Sequence, residues 1–146
     1  MKIPKLPSEL CHYRVLVAED NEDLLQFLRE GLEYLGLTHI DTATNGLSAQ
    51  AKIQENWEAE SVCPYDLLIT DYFMPMLSGT SLIEFVRGTE FSKEMKVLMI
   101  TAHAMALSDE TLRRLGVEKV LLKPVTLAVL GETVQEILRK IENEKE

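Results

Sequence analysis

The chain is predicted to be an α/β protein, a doubly wound sheet of five parallel strands with helices on both faces. Three observations carry that expectation. Short β-branched apolar runs alternate five times with segments of helical periodicity. Runs such as "VLMI" and "VLL" are apolar at every position, as strands covered on both faces are. Capping residues stand where crossover helices would begin and end.

The elements follow in order. "RVLVAED" is a first strand ending in two acids, Glu19 and Asp20. The segment "NEDLLQFLREGLEYLG" carries Leu24, Leu25, Leu28, Leu32 and Leu35 on one helical stripe. Asn21 suits its N-cap, Glu22 and Asp23 its positive end, and Gly36 its stop. "HIDTAT" is a weaker second strand; Asn45-Gly46 leads into the helix "LSAQAKIQENW", whose end Trp57 is expected to shield. "EAESVCPY" has no periodicity and is expected to be a loop.

"DLLIT" is a third strand that runs straight into Asp71. Pro75 and Ser78-Gly79 end it and open a third helix over Gly79 to Arg87. "KVLMIT" is the fourth strand, ending at Thr101, and "SDETLRRLG" a short helix capped by Ser108 and closed by Gly116. "KVLL" is the fifth strand, with Lys123-Pro124 at its tip. "TLAVLGETVQEILRKI" is the last helix, with its stripe at Leu127, Leu130, Val134, Ile137 or Leu138, and Ile141.

Length and composition bound the reading. The 146 residues suit one domain, placed at 14–141, with an N-terminal extension at 1–13 and an acidic tail at 142–146 that reads as a solvated helix end. No run of about 18 apolar residues exists, which argues against a membrane span. Pro4 and Pro7 interrupt the N-terminus where a secretory signal needs a continuous apolar region, so a cytoplasmic location is expected. A net charge of −9 argues against direct nucleic-acid binding. Cys11 and Cys63 form neither a metal cluster nor a disulfide framework and are read as idle thiols. Met74, Met76 and Met99 are read as packing residues, and His12 and His39 as structural.

The chemistry lies at the strand ends. In a sheet of flavodoxin-like order 2-1-3-4-5, strands 1, 3, 4 and 5 are neighbours, and their carboxyl ends share one rim. Glu19, Asp20, Asp71, Thr101 and Lys123 then meet at the crevice where the strand order reverses. Clustered carboxylates repel unless a cation joins them, and hard oxygen ligands without His or Cys favour Mg²⁺. Lys123 and Thr101 suit the remaining oxygens of a phosphoryl group. A carboxylate can attack phosphorus itself, and Asp71, alone at the middle of the rim, is the expected nucleophile.

With "VLVAEDN", "LLITDYFMPMLSG", "MITAH" and "VLLKP" in order at successive strand ends, the chain resembles the receiver domain of two-component response regulators over about Arg14 to Ile141. The resemblance implies that Asp71 is the phosphoacceptor and that Glu19 and Asp20 hold Mg²⁺, together with Asp71 and the backbone carbonyl of Phe73. It implies that Thr101 is the switch hydroxyl, that Lys123 pairs with the phosphoryl group, and that Pro124 follows a cis peptide bond. The phosphoryl group would come from a histidine kinase or a histidine phosphotransfer protein. A downstream protein would be met through the fourth helix, fifth strand and fifth helix, with a homodimer left open.

Where receivers often carry an aromatic residue three positions before the lysine, Val120 stands here, so output through a rotating ring is not expected. Phe73 and His103 should border the site while the small Ala102 leaves access, and slow self-dephosphorylation is expected. Two rival readings are a pseudo-receiver that only binds proteins and a phosphatase of the haloacid dehalogenase type. The latter needs an Asp two residues after its nucleophile, where this chain has Phe73.

Overall fold

The computed structural model describes residues 2–60, 63–103, 105 and 107–145. Strands β1 (Arg14–Ala18), β2 (His39–Ala43), β3 (Leu67–Thr70), β4 (Lys96–Thr101) and β5 (Val117–Leu122) form one parallel sheet in the order β2-β1-β3-β4-β5. Helices α1 (Glu22–Leu35), α2 (Gly46–Glu60), α3 (Gly79–Gly88), α4 (Asp109–Leu115) and α5 (Leu127–Glu144) alternate with them, as predicted.

Successive strand residues point to opposite faces, and each face has its own core. Val15, Val17, Leu67, Ile69, Leu98 and Ile100 pack under α1 and α5. Leu16, Ala18, Leu68, Val97 and Met99 pack under α2, α3 and α4 through Ile53, Leu82, Ile83, Val86 and Leu115. β3 is buried at every position, which is why its sequence lacks polar alternation.

Several boundaries differ from expectation. Helix α2 continues through Glu60, with Glu58 and Ala59 exposed to solvent past Trp57; residues 61 and 62 of the expected loop lie outside the described residues. Trp57 stacks face to face on Phe91 with ring centroids 4.5 Å apart. β5 begins two residues early and contains a bulge, since pairing skips Glu118 between Val97↔Val117 and Leu98↔Lys119.

The acidic residues expected as a tail form the last turn of α5. There Glu142 accepts a hydrogen bond from the Tyr13 hydroxyl, and Glu144 lies 3.0 Å from the Lys96 ammonium; Glu146 lies outside the described residues.

The N-terminal segment is packed down. Leu6, Leu10 and Tyr13 are buried against α1 and α5, the Leu6 N–H donates to the Leu35 carbonyl at 2.9 Å, and Arg139 pairs with Glu9 at 3.1 Å. Met99 is fully buried and Met74 half-buried, as packing residues should be. Met76 corrects the expectation: it is 71% exposed, with φ 73° in a tight turn where the Leu77 N–H donates to the Pro75 carbonyl. His12 packs on Tyr13, whereas His39 lies exposed on the edge strand β2 and has no core role. Both cysteines are free thiols.

Candidate functional site

The strand order brings the tips of β1, β3, β4 and β5 side by side. Hydrogen bonding carries past the strand ends and fixes the residues that follow: the Asp71 N–H donates to the Ala18 carbonyl at 3.4 Å, and the Lys123 N–H to the Thr101 carbonyl at 2.9 Å. Carboxylate oxygens of Glu19, Asp20 and Asp71 lie within 4.8 Å of one another. Glu19 and Asp71 are buried, at 2% and 6% exposure, while Asp20 faces solvent. The Lys123 ammonium stands 2.6 Å from Asp71 Oδ2 and 3.1 Å from Glu19 Oε1. Asp71 Oδ1 accepts the Tyr72 N–H at 2.6 Å, and Glu19 Oε2 accepts the Asn21 N–H at 3.0 Å.

Three carboxylates cluster here and two of them, Asp71 and Glu19, share one ammonium, so negative charge is left uncompensated. Burial lifts the Glu19 carboxyl above its usual range and nearby Asp71 adds to the effect, against the Asn21 N–H and Lys123. For Lys123, burial works against the charged form, but Asp71 and Glu19 outweigh it and raise the ammonium above its usual value. An all-oxygen donor set with excess negative charge, partly buried and open at Asp20, fits Mg²⁺.

The loop after Asp71 is locked to the start of α3. The Gly79 N–H donates to the Tyr72 carbonyl at 2.9 Å, and a Cβ on Gly79 would lie 1.9 Å from the Asp71 carbonyl oxygen. Only glycine allows this approach, so Gly79 sets the backbone that presents the carboxylate. The sequence marked it only as a turn residue.

The hydroxyl of Thr101, fully buried, accepts the His103 N–H at 3.1 Å and is thus engaged in its own loop, while its carbonyl holds Lys123. Phe73 is 53% exposed and meets His103 edge-on at 4.8 Å, with His103 and Ala102 also exposed beside the site. Val120 packs into the core under α2, α3 and α4. The Lys123–Pro124 peptide is cis. Leu24, Phe27, Lys123, Pro124 and Val125 line a shallow apolar cavity of about 300 Å³ beside the site.

The sequence matches the response regulator receiver domain over residues 15–135. The chain belongs to this family. The receiver is 35% identical over 127 residues to the response regulator receiver protein CpdR of Brucella abortus (strain 2308), a match covering 86% of this chain and 96% of that protein. It resembles the solved CheY-like response regulator receiver domain protein of Methanospirillum hungatei JF-1 at a TM-score of 0.76 and 26% identity, covering 91% and 98% of the two chains. It shares its fold with the receiver domain of sensor histidine kinase PA1611 from Pseudomonas aeruginosa PAO1, at a TM-score of 0.74 and 23% identity, covering 88% and 98%. That structure has a magnesium ion coordinated in its active site cleft. The receiver is therefore a component of two-component signalling rather than a conventional enzyme. No helix among its described residues is long and apolar enough to cross a membrane.

Sequence reasoning missed Arg87. This receiver residue donates to the carbonyls of Leu115, Gly116, Lys93 and Met95 over 2.5 to 2.9 Å. An arginine in the last turn of an amphipathic helix reads as an ordinary surface charge, and its partners become neighbours only in the folded chain.

Proposed function

We propose that this receiver takes a phosphoryl group from a phosphohistidine onto Asp71 and in consequence changes its protein-binding surface. The observation that carries the reading is a buried Asp71 held at 2.6 Å by Lys123 inside a carboxylate triad. The residues that would hold Mg²⁺ are Glu19, Asp20, Asp71 and the backbone carbonyl of Phe73. When bound, Mg²⁺ supplies the positive charge that offsets the carboxylates and the phosphoryl oxygens.

The Tyr72 N–H and Lys123 fix the orientation of the Asp71 carboxylate. A carboxylate oxygen of Asp71 forms the new P–O bond as the P–N bond breaks, its electron pair returning to the donor's imidazole nitrogen. Lys123 then holds a phosphoryl oxygen, and the Thr101 hydroxyl leaves the His103 N–H to join it. Phe73 and His103 stand at the mouth of the site and slow the approach of water, so the phosphoryl state outlives a timescale of seconds. Ala102 leaves the donor room. Val120 carries no ring to rotate, so the signal passes through Thr101 and α4.

The donor is a histidine kinase or a histidine phosphotransfer protein, and the apolar cavity beside Lys123 suits such a partner. A downstream protein, or a second copy in a homodimer, meets the α4–β5–α5 face, where Leu122 and Val129 are exposed. The receiver unit spans 14–141, acts in the cytoplasm and makes no direct nucleic-acid contact, consistent with its net charge of −9. A pseudo-receiver is disfavoured because the acidic pair, the acceptor and the lysine are all present, and a dehalogenase-type phosphatase because Phe73 stands where its acid belongs.

Incubation with Mg²⁺ and acetyl phosphate or phosphoramidate, read by intact mass, tests the reading. One phosphoryl group per chain is expected, and none in Asp71→Asn. An unchanged wild-type mass would establish a binding module, and continuous phosphate release a phosphatase.

A further inference from the structure

Helix α4 is held at one end and open at the other. Its N-terminal residues Ser108, Asp109 and Glu110 are exposed, and the Ser108 hydroxyl caps the Thr111 N–H locally at 3.1 Å. Its C-terminal end is anchored. Leu115 is 2% exposed, and Gly116 closes the helix at φ 68°, in the left-handed region. The last carbonyls of a helix have no partner within it and must find one elsewhere. Here they find Arg87, which reaches across from the last turn of α3: Nε donates to the Leu115 carbonyl at 2.8 Å and Nη2 to the Gly116 carbonyl at 2.9 Å.

The same guanidinium donates through Nη1 to the carbonyls of Lys93 and Met95, just ahead of β4. Its planar fork of fixed N–H vectors can meet four carbonyls at once, which a lysine ammonium cannot reproduce. Its charge also stands at the negative ends of α3 and α4. No side chain can be added at position 116 without crowding it, because a Cβ there would lie 3.2 Å from Arg87 Nε.

We propose that Arg87 is a positioning residue that makes the Leu115–Gly116 end of α4 a fixed pivot. Displacement of Thr101 is then taken up at the Ser108 end alone. The proposal rests on Asp71 as the phosphoacceptor only for its response to loading; the pinning itself is independent of that reading.

Hydrogen exchange read by mass spectrometry tests it on the full chain, with and without Mg²⁺ and beryllofluoride as a phosphoryl analogue. In the wild type, loading should change exchange at 108–111 and leave 113–117 unaltered. In Arg87→Met, exchange at 113–117 should quicken by about tenfold without any ligand, the loss of one charge-assisted hydrogen bond being enough for that. In that variant 113–117 should also begin to respond to loading, an effect that general destabilisation would not produce. Exchange at Leu16 and Leu68, in the sheet core, should stay slow.

A wild-type response at 113–117 equal to that at 108–111 would overturn the proposal, as would unchanged unloaded exchange at 113–117 in Arg87→Met. If Arg87→Met does not fold, Arg87→Lys and the wild-type contrast between the two helix ends decide. A wild type that ignores beryllofluoride everywhere would count against the phosphoacceptor reading, while the unloaded comparison would still judge the pivot.

Discussion

Arg87, near the amino-terminal edge of the sheet, and Asp71, at the carboxyl-terminal edge, both withdraw charge from solvent, but their surroundings treat it oppositely. Around Arg87 the chain supplies its own answer, four backbone carbonyls for one guanidinium. Nearby, Asp66 accepts the Arg14 N–H at 2.9 Å and returns its own N–H to the Arg14 carbonyl, and Tyr65 donates to Asp41 at 2.5 Å. Around Asp71, three carboxylates cluster, and one lysine reaches only Asp71 and Glu19. A fold that satisfies polar groups at one end and leaves like charges together at the other has placed stability and function at opposite edges.

Two glutamates sharpen the contrast. Glu19 and Glu118 both pair with lysines, at 3.1 Å and 3.0 Å. Burial raises the Glu19 carboxyl, and Asp71 beside it adds to the rise. For Glu118 burial also works upward, but Lys140 and Lys96 outweigh it and the carboxyl falls below its usual range. The same kind of ion pair is opposed chiefly by burial at one edge and reinforced by a second lysine at the other.

The largest expected effect comes from removing the lone ammonium. Lys123→Ala should slow phosphorylation of Asp71 by about 10²-fold, the scale for one lost charge-stabilising donor, in an acetyl phosphate time course. An unslowed variant would show that the acidic edge does not depend on its lysine.

Next in size is a change at the opposite edge. Leu10→Ala, in the packed N-terminal segment, should cost about 2 kcal/mol in urea unfolding while leaving the phosphorylation rate unchanged. A loss of rate matching the loss of stability would mean that the two edges are not separable.

The smallest effects concern the glutamates. Glu19 has a folded value above its unfolded one of 4.5, so the folded state holds the extra proton. Metal-free stability should therefore fall as pH rises from about that value, and Glu19→Gln should remove this slope and weaken Mg²⁺ binding. Glu118 has the opposite sign: its contribution is present above 4.5 and is lost as pH falls through its lower folded value. Because it is partly exposed, Glu118→Gln should cost only about 0.5 kcal/mol at neutral pH. Thermal melts of the wild type and both variants from about pH 3 to 8 test this: the wild-type minus variant difference should fall with rising pH for Glu19 and rise with it for Glu118, and slopes of the same sign would refute the contrast.

The fold was largely legible because its signals are local. The apolar runs within Leu67–Thr70 and Lys96–Thr101, the stripe from Leu24 to Leu35 and the caps at Asn21, Ser108 and Gly116 each follow from a few neighbouring residues. Boundaries were less so where charged residues continue a helix, as in α2 and at the end of α5, or where a bulge admits Glu118. Met76 was misjudged because an apolar side chain carries no sign that its backbone will turn it outward.

By itself the sequence determined the parallel α/β class, the residues at each strand tip and the all-oxygen donor character of the acidic edge. Only the tertiary structure decided that Lys123 reaches both Asp71 and Glu19, that the Thr101 hydroxyl turns to its own loop, that Gly79 must pass close to the Asp71 carbonyl, and that Arg87 secures the end of α4. Periodicity and capping act over a few residues and survive in a linear reading. A hydrogen bond between groups 28 or 52 positions apart exists only once the crossovers have brought their helices or strands together.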